Sequence, residues 1–295
     1  MAAQPRPRRS ALYIPGSNAR ALDKGRSIAA DVLILDLEDA VGVAAKESAR
    51  VSVAAAIGAR AYGRREIVVR VNGLESPWIA RDIAAAVTAR PDAVLIPKLS
   101  RVEDIRRARA ALAAAQAEPG LALWAMIETP LAVLNVAQIA AIAAGPGAPL
   151  ACLVMGTNDL ARETGAVLKP GRLGMVTWLS QCVLAARAFG LAILDGTYND
   201  LNDWQGFSTE CEQGRELGMD GKTLIHPRQV PIANEIFAPT ADEVAWAEKI
   251  IAAFARPENA NKAVIAVDGQ MVERLHERMA ERVIETATAI LPPET

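Results

Sequence analysis

Only three of the 295 residues are cysteine, two are histidine, and aromatic residues make up 4% of the chain. Cys152, Cys182 and Cys211 are scattered, odd in number and set in segments expected to be packed. That excludes a disulfide framework and points to reduced core thiols rather than to zinc or redox chemistry. With so few aromatics there is no platform for base stacking, and a net charge of -2 supplies no basic excess for a phosphate backbone. Nucleic acid is therefore not an expected partner. No apolar run approaches the roughly 20 residues that span a bilayer. The opening MAAQPRPRRS is basic and proline-rich, but no apolar stretch follows it, so a cytoplasmic protein is expected rather than a secreted one. Nor does a glycine-rich fingerprint follow the first strand candidate: PGSNAR stands where a dinucleotide-binding fold would carry GxGxxG.

What is present is a soluble, globular composition, 52% hydrophobic and 22% charged, on a chain of 31.3 kDa that can bury a large core. Apolar strand candidates recur along it: 11–16, 32–40, 66–73, 93–100, the runs LALWAMIETP and LACLVMGTNDL, 191–196 and 221–227. Helical segments separate them, among them 44–60, 78–88, 102–116, 131–144, 173–189 and 203–217. Near-continuous apolar strands suit a parallel sheet buried on both faces. Eight such units in about 230 residues match an α/β fold of the (β/α)₈ barrel type. Residues 1–256 are expected to form the barrel. Residues 257–295 exceed what a barrel needs and read as a C-terminal helical extension, either a packing cap or a lid over a neighbouring subunit.

In such a barrel the carboxyl ends of the strands form the active face. Reading off each strand's last residues collects Asp36, Glu38 and Asp39, then Arg70 and Asn72, Lys98, Glu128, Asp159, Asp195 and His226. Singly, each has a plain structural reading: Lys98 and Asp195 as a salt bridge, His226 as a turn residue, either acid as a helix cap. Together they indicate a site. Glu128 and Asp159 end two consecutive strand candidates, and a shared hard divalent cation would leave about four of its six positions for water and substrate. A substrate with adjacent carboxylate and carbonyl or hydroxyl oxygens would chelate it, and Arg70 would bind a carboxylate or a developing oxyanion. A Schiff-base aldolase is the alternative, with Lys98 as the only strand-borne amine.

At these residues the sequence resembles the citrate lyase beta-subunit-like acyl-CoA lyases, which include malyl-CoA and citramalyl-CoA lyases. The likeness runs nearly end to end through RSALYIPGSNARALDKG, LDLEDAV with KESAR, VVRVNG, VLIPKLS, AMIETP, VMGTNDLA, AILDGTYNDLND, GKTLIHPRQV and DGQMVERLHERMA. It implies a Mg²⁺-dependent barrel, a trimer or dimer of trimers, acting on a coenzyme A thioester. It further implies that Glu128 and Asp159 hold the metal, that Arg70 contacts the oxo acid, and that Asp36, Glu38 and Asp39 stand behind them. Arg20 and Lys24 would lie near the coenzyme A phosphates. Relatives carry a tail acid that reaches a neighbouring active site, and Glu273 occupies the corresponding segment, with Asp268 as the fallback. Arg70, Glu273 and Asp39 are thus the expected catalytic groups, with Asp36, Glu38 and Lys98 supporting them.

The expected reaction is retro-Claisen cleavage of a 3-hydroxyacyl-CoA to an acyl-CoA and a 2-oxo acid. Alternatives are the beta subunit of a multi-subunit citrate lyase, a class II pyruvate aldolase, and a non-catalytic barrel binding an acyl-CoA or oxo acid. Both histidines, His226 and His276, fall late in the chain, which weakens the aldolase. Attack of water on the thioester also remains open.

Overall fold

The computed structural model describes residues 6–143 and 149–290. Eight parallel strands close into a barrel in sequence order. They are β1 (Ser10–Pro15), β2 (Val32–Asp36), β3 (Glu66–Arg70), β4 (Ala93–Ile96), β5 (Ala122–Ile127), β6 (Leu150–Met155), β7 (Ala192–Asp195) and β8 (Gly221–Leu224). The ring closes where Ser10, Ala11 and Leu12 pair with Lys222, Thr223 and Leu224. The fold is the expected (β/α)₈ barrel. Its strands stop earlier than their apolar runs, because turns bend the last residues of each run over the rim.

Alternate residues fill the barrel with a close-packed interior, among them Ala11, Ile34, Val68, Leu95, Trp124, Met126, Cys152, Val154 and Leu194. At the amino end Arg8 lies 4.9 Å from the Trp124 ring centroid and grips Glu66 with two hydrogen bonds of 2.7 and 2.8 Å. A guanidinium stacked on indole and paired with a carboxylate thus plugs the floor.

The helices follow from the same alternation. Lys46–Gly58, Ile79–Ala89, Val102–Ala114, Val176–Ala188 and Trp204–Glu216 fall close to the spans read from sequence. The expected 131–144 helix is instead two short ones, Pro130–Leu134 and Val136–Ala141, interrupted at Asn135, whose ψ of 4° breaks the helical run. Residue 144 lies outside the described residues. A further helix, Thr157–Thr164, begins within the run read as the sixth strand.

Among the described residues, contacts group Arg8–Asn234 into one compact unit, and residues 235–290, with Arg6 and Pro7, into another. In the second unit helix Ala241–Phe254 and helix Arg274–Ala289 share a core with a hairpin of strands Val264–Val267 and Gln270–Glu273. Asp268 and Gly269, both at positive φ, turn the hairpin as an Asp-Gly pair does. No described helix is long and apolar enough to cross a membrane.

Asp195 does not pair with Lys98. It lies wholly buried against Arg172 (2.7 Å) and Lys222 (2.9 Å), and Lys222 also reaches Glu210 at 2.7 Å. The next residue back, Leu194, fills the barrel, so Asp195 faces the other way, toward the helices. Burial alone would push its carboxyl up, but Lys222 and Arg172 outweigh burial and hold it below the usual range. A depressed carboxylate stabilises the fold above its unfolded pKa of about 3.9, and that contribution disappears as pH falls through the lower folded value. Asp195→Ala is therefore expected to destabilise the protein by about 3 kcal/mol at pH 7, since it leaves two buried cations to share Glu210 alone. Denaturant melts across pH should show the gap to wild type narrowing only in strong acid.

Candidate active site

The site is built outward from the end of β2. Asp36 is fully buried and accepts four hydrogen bonds: from the Glu38 and Ala40 amides at 2.9 and 3.0 Å, and from Arg70 Nε and Nη2 at 2.7 and 2.6 Å. Those four fill the lone-pair sites of a carboxylate and leave none for a metal. Asp36 is a clamp that shapes the turn after β2 and fixes Arg70.

Arg70, at the end of β3, is pinned from a third side by the Tyr13 ring, 4.6 Å from its guanidinium carbon. Its remaining nitrogen, Nη1, lies 3.1 Å from Glu38 Oε2 and 3.7 Å from Asp39 Oδ2. The Tyr13 hydroxyl and Glu38 Oε2 are both buried without a hydrogen-bond partner among the described residues. Burial raises the Glu38 carboxyl, and so does Asp39, while Arg70 and Lys98 pull it back. Asp39 itself points outward, its side chain 63% exposed.

The turn that carries Glu38 rests on a buried strut that the sequence reading did not assign. Lys46 Nζ spends all three protons on Leu37 O, Glu38 O and Asn72 Oδ1, at 2.7, 2.7 and 2.8 Å. Asn72 is held in turn by Asp82, and Asp82 by Arg50 at 2.8 Å. Lys46 and Arg50 belong to the KESAR stretch. Their i, i+4 spacing on a helix face was the available signal.

Glu128, just past β5, is 2% exposed, and its Oε1 accepts the Lys98 main-chain N–H at 2.7 Å. Its carboxyl is pushed up to about 8, chiefly by burial and then by the charges of Glu38 and Asp159. Gly156 makes room for it, because a Cβ there would sit 2.8 Å from Glu128 Oε2. Asp159 does not end a strand as expected: β6 stops at Met155, Gly156 intervenes, and Asp159 falls in the first turn of helix Thr157–Thr164. A helix amino terminus favours a carboxylate. Asp159, its side chain only 18% exposed, also holds the exposed Arg162 at 2.6 Å. Asn158 beside it exchanges amide hydrogen bonds with Asn199, tying the exits of β6 and β7 together.

A cleft of about 670 Å³ opens beside Glu38 and Lys98, walled by Asn72, Trp78, Ser100 and Leu131. Arg20 and Lys24 lie exposed on helix Ala19–Lys24, after β1. His226 is a turn residue whose Nδ1 accepts the Arg228 amide at 3.1 Å. Glu273 caps helix Arg274–Ala289, its amide donating to His276 Nδ1 at 2.9 Å, and Asp268 pairs with Lys249 at 2.7 Å.

A closed α/β barrel that gathers buried acids around an immobilised arginine at the carboxyl ends of its strands has the architecture of a barrel enzyme. More narrowly, the model of the HpcH/HpaI aldolase/citrate lyase family matches residues 9–227, and the chain belongs to that family. A (3S)-malyl-CoA thioesterase of Cereibacter sphaeroides strain KD131 is 48% identical over 290 residues, 98% of either chain. The citrate lyase beta subunit of Leuconostoc mesenteroides subsp. cremoris is 33% identical over 96% of this chain and 94% of its own. Among solved structures, CitE of Mycobacterium tuberculosis in complex with magnesium, acetoacetate and coenzyme A superimposes with a TM-score of 0.75. It is 28% identical, over 95% of this chain and 97% of that one.

The geometry argues against the Schiff-base alternative. Burial would lower the Lys98 ammonium, but Glu38, 3.0 Å away, outweighs it and raises the pKa, so the amine stays protonated at working pH. Incubation with a 2-oxo acid and cyanoborohydride is expected to label Lys98 no faster than exposed Lys24, read by peptide mass spectrometry. Preferential labelling of Lys98 would restore the imine route.

Proposed function

We propose that the chain is a Mg²⁺-dependent enzyme acting on a 3-hydroxyacyl-CoA thioester of the malyl type, and that it hydrolyses the thioester. Supporting the substrate class is the carboxylate pair at the barrel mouth, in a chain 48% identical to a (3S)-malyl-CoA thioesterase along nearly its whole length. Among the described residues no three potential ligands form a metal cage. Two carboxylates nevertheless suit magnesium, which commonly takes one or two and completes its shell with water and substrate oxygens. The fit is electrostatic: burial and the charges of Glu38 and Asp159 raise Glu128 to about 8 against the opposing pull of Lys98, so a cation there would be favoured. Glu128 and Asp159 would hold the ion, which would take the place of the exposed Arg162 guanidinium on Asp159. When bound, the ion supplies Lewis acidity toward the substrate's oxygens.

The chain's own residues account for the rest. Arg70, its other edge consumed by Asp36, presents Nη1 to a substrate carboxylate or to the oxyanion formed at the thioester carbon. Glu38, raised by burial and facing Arg70 Nη1 at 3.1 Å through its Oε2, takes a proton from the attacking water. The C–O bond forms, the C–S bond breaks, and the proton passes to the departing thiolate. Arg20 and Lys24 face solvent, where they would meet the coenzyme's phosphates.

Carbon–carbon cleavage is a second reading of the same site, favoured by the 33% identity to citrate lyase beta subunits. It would draw on Glu273 as the proton donor to the acyl-CoA carbon, reaching across from a neighbouring copy in a trimer.

With malyl-CoA and Mg²⁺, hydrolysis is expected to release one thiol per turnover, detected by a disulfide reagent, with no free 2-oxo acid trapped by phenylhydrazine. Oxo acid without thiol would assign the lyase instead. Both activities should vanish in Glu128→Gln, and turnover retained there would end the metal-site reading. Gly156→Ala, whose added methyl would overlap the Glu128 Cβ, is expected to weaken Mg²⁺ binding by about tenfold or more in a calorimetric titration and also to lower the melting temperature.

A further inference from the structure

Lys98 has a backbone φ of +58°, in the left-handed region that side chains rarely adopt. Arg172, the buried partner of Asp195 in the loop before helix Val176–Ala188, shares that region; of the rest, Arg60, Arg90 and Gln116 end helices and Asp268 turns the hairpin. Lys98 does neither. It follows Pro97 at the exit of β4, at the mouth of the barrel. The position after a turn-forming proline, at positive φ, is one that glycine or asparagine fills without strain.

The cost is matched by contacts at both ends of the residue. The main-chain N–H points at Glu128 Oε1 at 2.7 Å, and the ammonium reaches Glu38 Oε1 at 3.0 Å. Glu38 and Glu128 come from β2 and β5 and repel one another. A glycine would give Glu128 its amide bond but leave Glu38 without this cation. With the amide seated on Glu128, a lysine in ordinary β conformation would swing its Cβ, and with it the ammonium, away from Glu38, because φ sets where the side chain leaves relative to the N–H. One strained lysine supplies both.

We propose that Lys98 is a positioning residue that locks the two buried acids to each other, its left-handed main chain orienting Glu128 and its ammonium orienting Glu38. The inference deepens the metal-site reading and rests on it. Its strain belongs to the residue that sets the spacing of the charges, as strained backbone at functional sites does.

The test separates main chain from side chain by four substitutions in the full chain. Lys98→Gly keeps the left-handed backbone and loses the ammonium; Lys98→Ala and Lys98→Val penalise that backbone increasingly; Lys98→Arg keeps the cation. Mn²⁺ affinity, followed by electron paramagnetic resonance, is expected to stay within about threefold of wild type in Lys98→Gly and to fall about tenfold or more in Lys98→Val, with Lys98→Ala between. Metal-free melting temperatures should follow the same order. In Lys98→Gly kcat should fall while Mn²⁺ affinity holds, and Lys98→Arg should restore much of kcat.

Equal Mn²⁺ affinity in the Gly, Ala and Val variants overturns the proposal. If Lys98→Val does not fold, the Gly-to-Ala comparison decides alone. A wild-type protein without Mn²⁺ binding that depends on Glu128 overturns the metal-site reading and this inference together, whereas a wild-type signal that Lys98→Val retains overturns this inference only.

Discussion

The bidentate pairing of Asp36 with Arg70 is the constraint from which the rest of the site follows. A guanidinium held along one edge by a saturated carboxylate and against an aromatic face has no rotational freedom left. Its free nitrogen therefore has a fixed direction, and Glu38 is drawn toward it. Asp36 and Arg70 sit opposite one another on adjacent strands, so the barrel's own register delivers the pair. With that charge fixed, Lys98 fixes Glu38 from its other oxygen, and Glu128 is set through the same lysine's amide. The sheet hydrogen bonds thus propagate into the placement of four charged side chains.

Much of this was legible in the sequence because strand alternation and the barrel's polarity act at short range. Eight apolar runs ending in polar residues gave the architecture, and the rim residues Asp36, Glu38, Arg70, Lys98 and Glu128 do meet at one mouth. Asp159 was placed in the right neighbourhood but on the wrong element. The apolar run LACLVM passes without a break into Gly156, and only backbone geometry reveals that a helix starts next. Asp195 was misread because a carboxylate at a strand's end has two faces to choose from. Arg172 and Lys222, distant in sequence, decided the choice.

Lys46 and Tyr13 were not singled out, and for different reasons. A lysine on the first turn of an amphipathic helix reads as solvated; its burial depends on carbonyls that turn inward from the neighbouring strand's exit. The Tyr13 hydroxyl is buried because Arg70 covers its ring, a contact between strands that no local spacing records. The left-handed backbone of Lys98 was equally hidden. A proline followed by lysine and leucine carries no sign of positive φ when the residue that demands it is thirty positions away.

The plug of Arg8, Glu66 and Trp124 has its own consequence. With the barrel interior close-packed above this plug, no passage runs through it, and the carboxyl-end rim is the single mouth for arrival and departure. Traffic through it is last in, first out: whatever seats deepest must enter ahead of, or attached to, whatever closes over it.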